Sequence, residues 1–190
     1  MTGDNAPKKQ RRTRISVHEM AVFAMLGTLM FVSKQVMEGI PIPNIHLLGV
    51  LTVAYTVVYR VKALIPIYVF VLLEGAIAGF HLWWIPYIYI WTILWGAVML
   101  LPKKMKPEIA CVVYPVVCCL HGLAFGTLYA PAHVIMFLHG DFSKMIPWIA
   151  AGFPYDVSHA IGNLTLGTLI YPLILLLTKL EKLYGKASRG

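Results

Sequence analysis

Polar residues in this chain are gathered between long apolar runs and do not alternate with apolar positions. Six runs stand out, at about 16–37, 44–60, 63–80, 83–101, 108–129 and 147–178. At about 1.5 Å per residue, roughly 20 helical residues cross a hydrocarbon core about 30 Å thick. The second and third runs are slightly short for that distance. The last is long enough to require a tilt, a kink or an overhang. The breaks carry helix-ending punctuation: "GIPIPN" after the first run, "YRVK" after the second and "LPKKMKP" after the fourth. No low-complexity segment or internal repeat is evident.

This pattern predicts an all-α fold, a polytopic membrane protein with six transmembrane helices. The expected organisation is a basic tail over 1–15, one six-helix membrane domain over 16–180 and a second tail over 181–190. Composition agrees. Of 190 residues, 59% are hydrophobic and 13% charged, and the mean hydropathy is +0.74. A soluble domain of this length has no interior large enough for so much apolar surface, whereas lipid solvates it directly. No cleavable signal peptide is expected, because "MTGDNAPKKQRRTR" is polar and the run behind it is too long for an h-region.

Charge then sets an orientation. Lys8, Lys9, Arg11, Arg12 and Arg14 precede the first run. Arg60 and Lys62 lie between the second and third, and Lys103, Lys104 and Lys106 between the fourth and fifth. Lys179, Lys182, Lys186 and Arg189 close the chain. In a six-span arrangement all of these share one side, and of the 16 Lys and Arg only Lys34 and Lys144 fall on the other. The positive-inside rule therefore places both termini in the cytoplasm. The net charge of +8 reports topology and contact with the anionic lipid of the bilayer. It does not suggest nucleic acid, since no basic face with interleaved aromatics exists outside the tails.

Against this apolar background the polar residues inside the runs are conspicuous. In "AGFPYDVSHAIGN", Gly152, Asp156, His159 and Asn163, followed by Gly167, recur at three- and four-residue spacing and share one helix face. Counted from the outer end of the last run, Asp156 lies roughly 13 Å deep. A carboxylate facing lipid at such a depth costs about 2.5–3.5 kcal/mol on the most lenient scale, so this face should point inward. The same counting puts Glu74 and His121 roughly 12 Å deep, with Lys34 near the outer end of the first run. Trp83, Trp84, Tyr87, Tyr89 and Trp91 crowd the same level. Lys34, Glu74, His121 and Asp156 thus come from four helices at comparable depth. Such convergence suits a small-molecule pocket open to the outside. A rival reading has Asp156 and His159 pairing with Lys34 to lock helices together, with the aromatics serving as an interfacial belt.

Other chemistry is not indicated. Cys111, Cys118 and Cys119 share one apolar run without metal-binding spacing, so neither disulfide, metal nor cofactor is expected. "HEMAV" lacks the second His of a zinc protease box, and GxSxG, Walker A and GxGxxG are absent from the sequence. No nucleophile–base pair presents itself, so the chain is not expected to be an enzyme.

The segments "PNIHLLGVLTVAYTVVYRVKALIPIYVFV", "GAVMLLPKK" and above all "AAGFPYDVSHAIGNLTLGTLIYPLILLLTKLEK" give the chain a resemblance over nearly its whole length to the S components of energy-coupling factor (ECF) importers. That resemblance implies a subunit of the bacterial cell membrane that binds a vitamin or related micronutrient from outside. It implies partnership with a transmembrane scaffold subunit and two cytoplasmic ATPases, the S component itself hydrolysing nothing. The pocket would draw on Lys34, Glu74, Trp84, Tyr87, Trp91, His121, Tyr129, Asp156, His159 and Asn163, with the segment from Lys34 to His46. The scaffold would dock on the first run. There the family's Ala-x-x-x-Ala pair is replaced by "AVFAMLGT", in which Ala21, Ala24, Gly27 and Thr28 still form a small-residue face. A stand-alone proton- or ion-coupled transporter, using Glu74, His121 and Asp156 as a relay, is the competing function. Two acids, several His and many rings suit a flat cationic or zwitterionic heterocycle, such as a thiamine- or pyrimidine-like molecule.

Overall fold

A computed structural model describes residues 15–39 and 45–187. The basic tail ahead of Ile15, the "IPIPN" stretch over 40–44 and Arg189 lie outside the described residues. The described chain is all-α: α1 (Val17–Glu38), α2 (Leu48–Tyr59), α3 (Leu64–Ala78), α4 (Tyr87–Leu100), α5 (Pro107–Leu123), α6 (Phe125–Phe137), α7 (Met145–Gly167) and α8 (Ile170–Ala187). Four helical stretches among them are long and apolar enough to cross a membrane, or five when α7 and α8 count as one bent span.

Local chemistry explains where these helices begin and bend. Ser16 opens α1 with a capping box: its hydroxyl accepts from the Glu19 N–H, and the Glu19 carboxylate accepts from the Ser16 N–H. Pro107 starts α5 at a position where no N–H is needed. The fifth run does not end near Tyr129 as the sequence suggests. It breaks at Ala124 and continues as α6 to Phe137, past Pro131. The break has a specific cause. The Gly126 N–H, which an unbroken helix would give to the Gly122 carbonyl, goes instead to Asp156 Oδ1 at 2.8 Å. The long last run is bent by 52° between α7 and α8. Pro172 lies in the first turn of α8 and cannot donate to the Thr168 carbonyl, which accounts for the bend.

Side-chain pairings give the direction of each helix. Gly27 packs on Pro66 and Val69, Lys34 bonds Glu74 and Glu19 bonds Lys62, so α1 and α3 run parallel. The intervening segment of chain, α2, runs the opposite way, with the Tyr55 hydroxyl donating to the Leu26 carbonyl and the Tyr59 ring against Phe23. The chain therefore reverses within Arg60–Ala63. Arg60 takes a φ of 55° there, a conformation unfavourable for any side chain with a Cβ. Two bonds hold it: its guanidinium donates to the Met99 carbonyl, and its own carbonyl accepts from Trp95 Nε1. Antiparallel to α3, α4 places Tyr68 on Ile88 and Thr92 and Trp84 on Val71. In turn α7 lies antiparallel to α5 and α6, pairing Gly167 with Pro115, Asn163 with Cys118 and Asp156 with Gly126.

The core is built around α2. Every residue from Leu48 to Thr56 is buried, as expected for a helix apolar on all sides. The surrounding helices bury one stripe and leave large apolar side chains exposed on the other. Met25, Leu29 and Val36 of α1, Val112 and Leu120 of α5 and Leu175 of α8 are examples. Bare apolar faces on most of the outer helices are what a bilayer solvates.

Candidate functional site

Six helices bring their polar and aromatic side chains together near the α1 C-terminus. Lys34 of α1 reaches across to α3, where its Nζ lies 2.5 Å from Glu74 Oε1 and 2.5 Å from Glu38 Oε1. Glu74 is 1% exposed and Lys34 7%. Lys34 thus pairs with Glu74 and Glu38, not with Asp156 or His159. The proposed locking of α7 onto α1 by an ion pair is replaced by an α1–α3 pair.

Beside this pair stands an interlocking set of rings. Tyr87 packs edge-on against Trp91 and Phe125, and Trp91 also meets Phe70 and His121. Phe125 contacts His159 at a centroid separation of 4.9 Å, and His159 contacts His46 at 5.3 Å. Lys34 and Glu74 lie within electrostatic reach of the Tyr87 hydroxyl, and Lys34 of His46. His46 sits in the connection ahead of α2.

Four buried side-chain atoms of this set have no hydrogen-bond partner: His46 Nδ1, Glu74 Oε2, Trp91 Nε1 and His159 Nδ1. Leaving a buried donor or acceptor unmatched costs about 1–3 kcal/mol each. Proteins satisfy nearly all such groups, so a concentration of exceptions makes this cluster the candidate site.

The remaining sequence-predicted residues divide clearly. His121 is buried in the ring set, and its Nε2–H donates to the Ile90 carbonyl at 3.1 Å, which fixes the tautomer because a carbonyl only accepts. Asp156 caps α6 from outside that helix through the Gly126 N–H. Asn163 lies two turns further along α7 and donates to the Cys118 carbonyl, tying α7 to α5. The Trp84 indole donates to the Val71 carbonyl, and the Tyr129 hydroxyl to the Trp83 carbonyl. Of the polar stripe on α7, His159 alone keeps an unmatched buried atom; Asp156, Asn163 and Gly167 join helices.

The small-residue face of α1 also divides. Ala21, Ala24 and Thr28 are exposed, while Gly27 is buried. A Cβ at Gly27 would lie 2.6 Å from Val69 and 2.7 Å from the Pro66 carbonyl, so Gly27 serves α1–α3 packing and does not share the outward face.

Phe125 was not singled out from the sequence, nor was the ladder it begins. Phe125, Tyr129, His133 and Phe137 lie four residues apart on α6, each ring against the next, with Trp148 of α7 stacked on Tyr129 and His133. Their i, i+4 spacing was the available signal. It was obscured by ending the fifth run at Tyr129.

A crevice of about 320 Å³ opens elsewhere, between α1, α2 and α8, and carries leucines, Pro172 and Ser33. It has no titratable group, whereas the ring set holds the four unmatched polar atoms. Among the described residues no cluster of three or more His, Cys, Asp or Glu is placed to hold a metal ion. No protein-family model matches the chain, and no curated protein or solved structure matches it either.

Proposed function

We propose that this chain is the substrate-binding membrane subunit of an ATP-driven importer of the ECF type, taking up a vitamin-like micronutrient from outside the cell. The observation that carries the reading is the set of four unmatched, buried polar atoms, from α3, α4, α7 and the connection before α2, around one aromatic cluster. An aromatic-walled site with a few converging polar groups is the usual form of a small-molecule pocket.

The topology belongs to the same proposal. The alternating directions of α1, α2, α3, α4, α5 with α6, and α7 with α8 support six passes, with Leu48–Ala78 folded back on itself at Arg60 and not crossing once. The basic residues between α2 and α3 and between α4 and α5 then share the cytoplasmic side with both termini, and the ring set lies in the outer half of the bilayer. Ala21, Ala24 and Thr28 offer an outward small-residue stripe for the scaffold subunit. Two cytoplasmic ATPases complete the complex.

The test is mass spectrometry of small molecules released from the detergent-purified chain, followed by binding of the identified molecule without any ion gradient. One stoichiometric aromatic compound supports the reading. If the chain alone, in vesicles lacking any ATPase, drives uptake that follows a proton gradient, it is a coupled transporter and the proposal fails.

A further inference from the structure

We infer that the site selects an uncharged or singly cationic amino-substituted heteroaromatic and rejects ring compounds carrying a carboxylate or phosphate. This rests on the proposed binding function and specifies its substrate class.

The first argument is charge. Lys34 is the basic side chain in this cluster, and two carboxylates already hold its ammonium, Glu74 and Glu38, each at 2.5 Å. An anionic ligand gains no free cation. It must either displace a buried carboxylate from Lys34 or enter beside one. Both are costly where water is excluded and the effective dielectric constant is low. Asp156, on the α7 face with His159, adds a third carboxylate satisfied by the Gly126 N–H. His46, His121 and His159 face the same cluster.

The second argument is hydrogen-bond polarity. Glu74 Oε2 only accepts, because its partner oxygen is bound to an ammonium. Trp91 Nε1–H only donates. Both are at least nine-tenths buried and unmatched, as is His159 Nδ1. A complementary ligand therefore presents at least one N–H donor and at least one acceptor. An amino group next to a ring nitrogen or carbonyl does this on one flat edge. Tyr87, Trp91, Phe125 and His159 bring their rings to this one cluster, a setting that favours a flat ligand and attracts a positive charge when one is present.

The experiment uses the full detergent-purified chain and pairs of probes that share a ring system but differ in an anionic group. Suitable pairs are nicotinamide and nicotinate, pterin and pterin-6-carboxylate, thiamine and thiamine phosphate, and riboflavin and riboflavin phosphate. Thermal shift and calorimetry rank each pair, and any co-purified molecule is identified by mass spectrometry. The expected result is that the tightest binder lacks an anionic group and that its anionic counterpart binds at least tenfold more weakly. Glu74→Gln should weaken the same binder at least tenfold in a protein that still migrates as a single species. A carboxylated or phosphorylated probe, or a co-purified anion, that binds as well as its neutral counterpart overturns this inference and leaves the binding function standing. If no probe binds and no molecule co-purifies, the binding function itself fails and the inference with it.

Discussion

Replacing Lys34 with methionine tests the central electrostatic feature directly. Methionine keeps much of the aliphatic stem and removes the ammonium. Glu74, 1% exposed, then holds a carboxylate with no cation, and its second oxygen already lacks a partner. Removing one member of a buried pair typically costs about 3–5 kcal/mol, because the abandoned charge keeps its desolvation penalty. At about 2–4 °C per kcal/mol for a chain of this size, the melting temperature should fall by roughly 6–20 °C. Glu74→Gln should cost less, since Lys34 retains Glu38, whose side chain is 51% exposed and reachable by water. The double variant Lys34→Met with Glu74→Leu removes both charges and should recover most of the loss, as apolar replacements of buried pairs commonly do. Thermal unfolding of the four proteins by intrinsic fluorescence in one detergent gives the ranking. A Lys34→Met protein melting within about 2 °C of wild type, or a double variant no better than Lys34→Met, would refute the argument that this pair is buried and mutually dependent.

Two further outcomes are expected. Asp156→Ala removes the acceptor that caps α6 and should cost about 1–2 kcal/mol, whereas Asp156→Asn retains an acceptor and should cost a few tenths; equal melting temperatures would show that the Gly126 bond does not matter, and unchanged ligand affinity in Asp156→Asn would remove this carboxylate from the site's electrostatics. Gly27→Val drives a side chain into Val69 and the Pro66 carbonyl and should destabilise by about 1–3 kcal/mol, while Ala24→Leu, on the exposed face, should melt normally yet fail to co-purify with an ATPase-containing complex.

The sequence by itself determined that this is a helical, membrane-compatible chain, because apolar runs of bilayer length with so few charges have no other stable home. It also determined the inward face of α7. Asp156, His159, Asn163 and Gly167 repeat at helical spacing, and all four are buried, since a helix in an apolar medium turns its polar residues toward protein. The length of the last run left a tilt, a kink or an overhang open, and the structure shows a bend of 52°. Tertiary structure decided what each polar residue touches. Periodicity gives a face and an approximate depth but no partner, so nothing local could show that Lys34 meets Glu74 forty residues away, or that Asp156 ends in the backbone of α6. The break at Ala124 was hidden for the same reason: it arises from an N–H diverted to another helix, not from a helix-breaking residue in place. The site's four unmatched atoms were equally invisible, because an unsatisfied group is defined by everything packed around it.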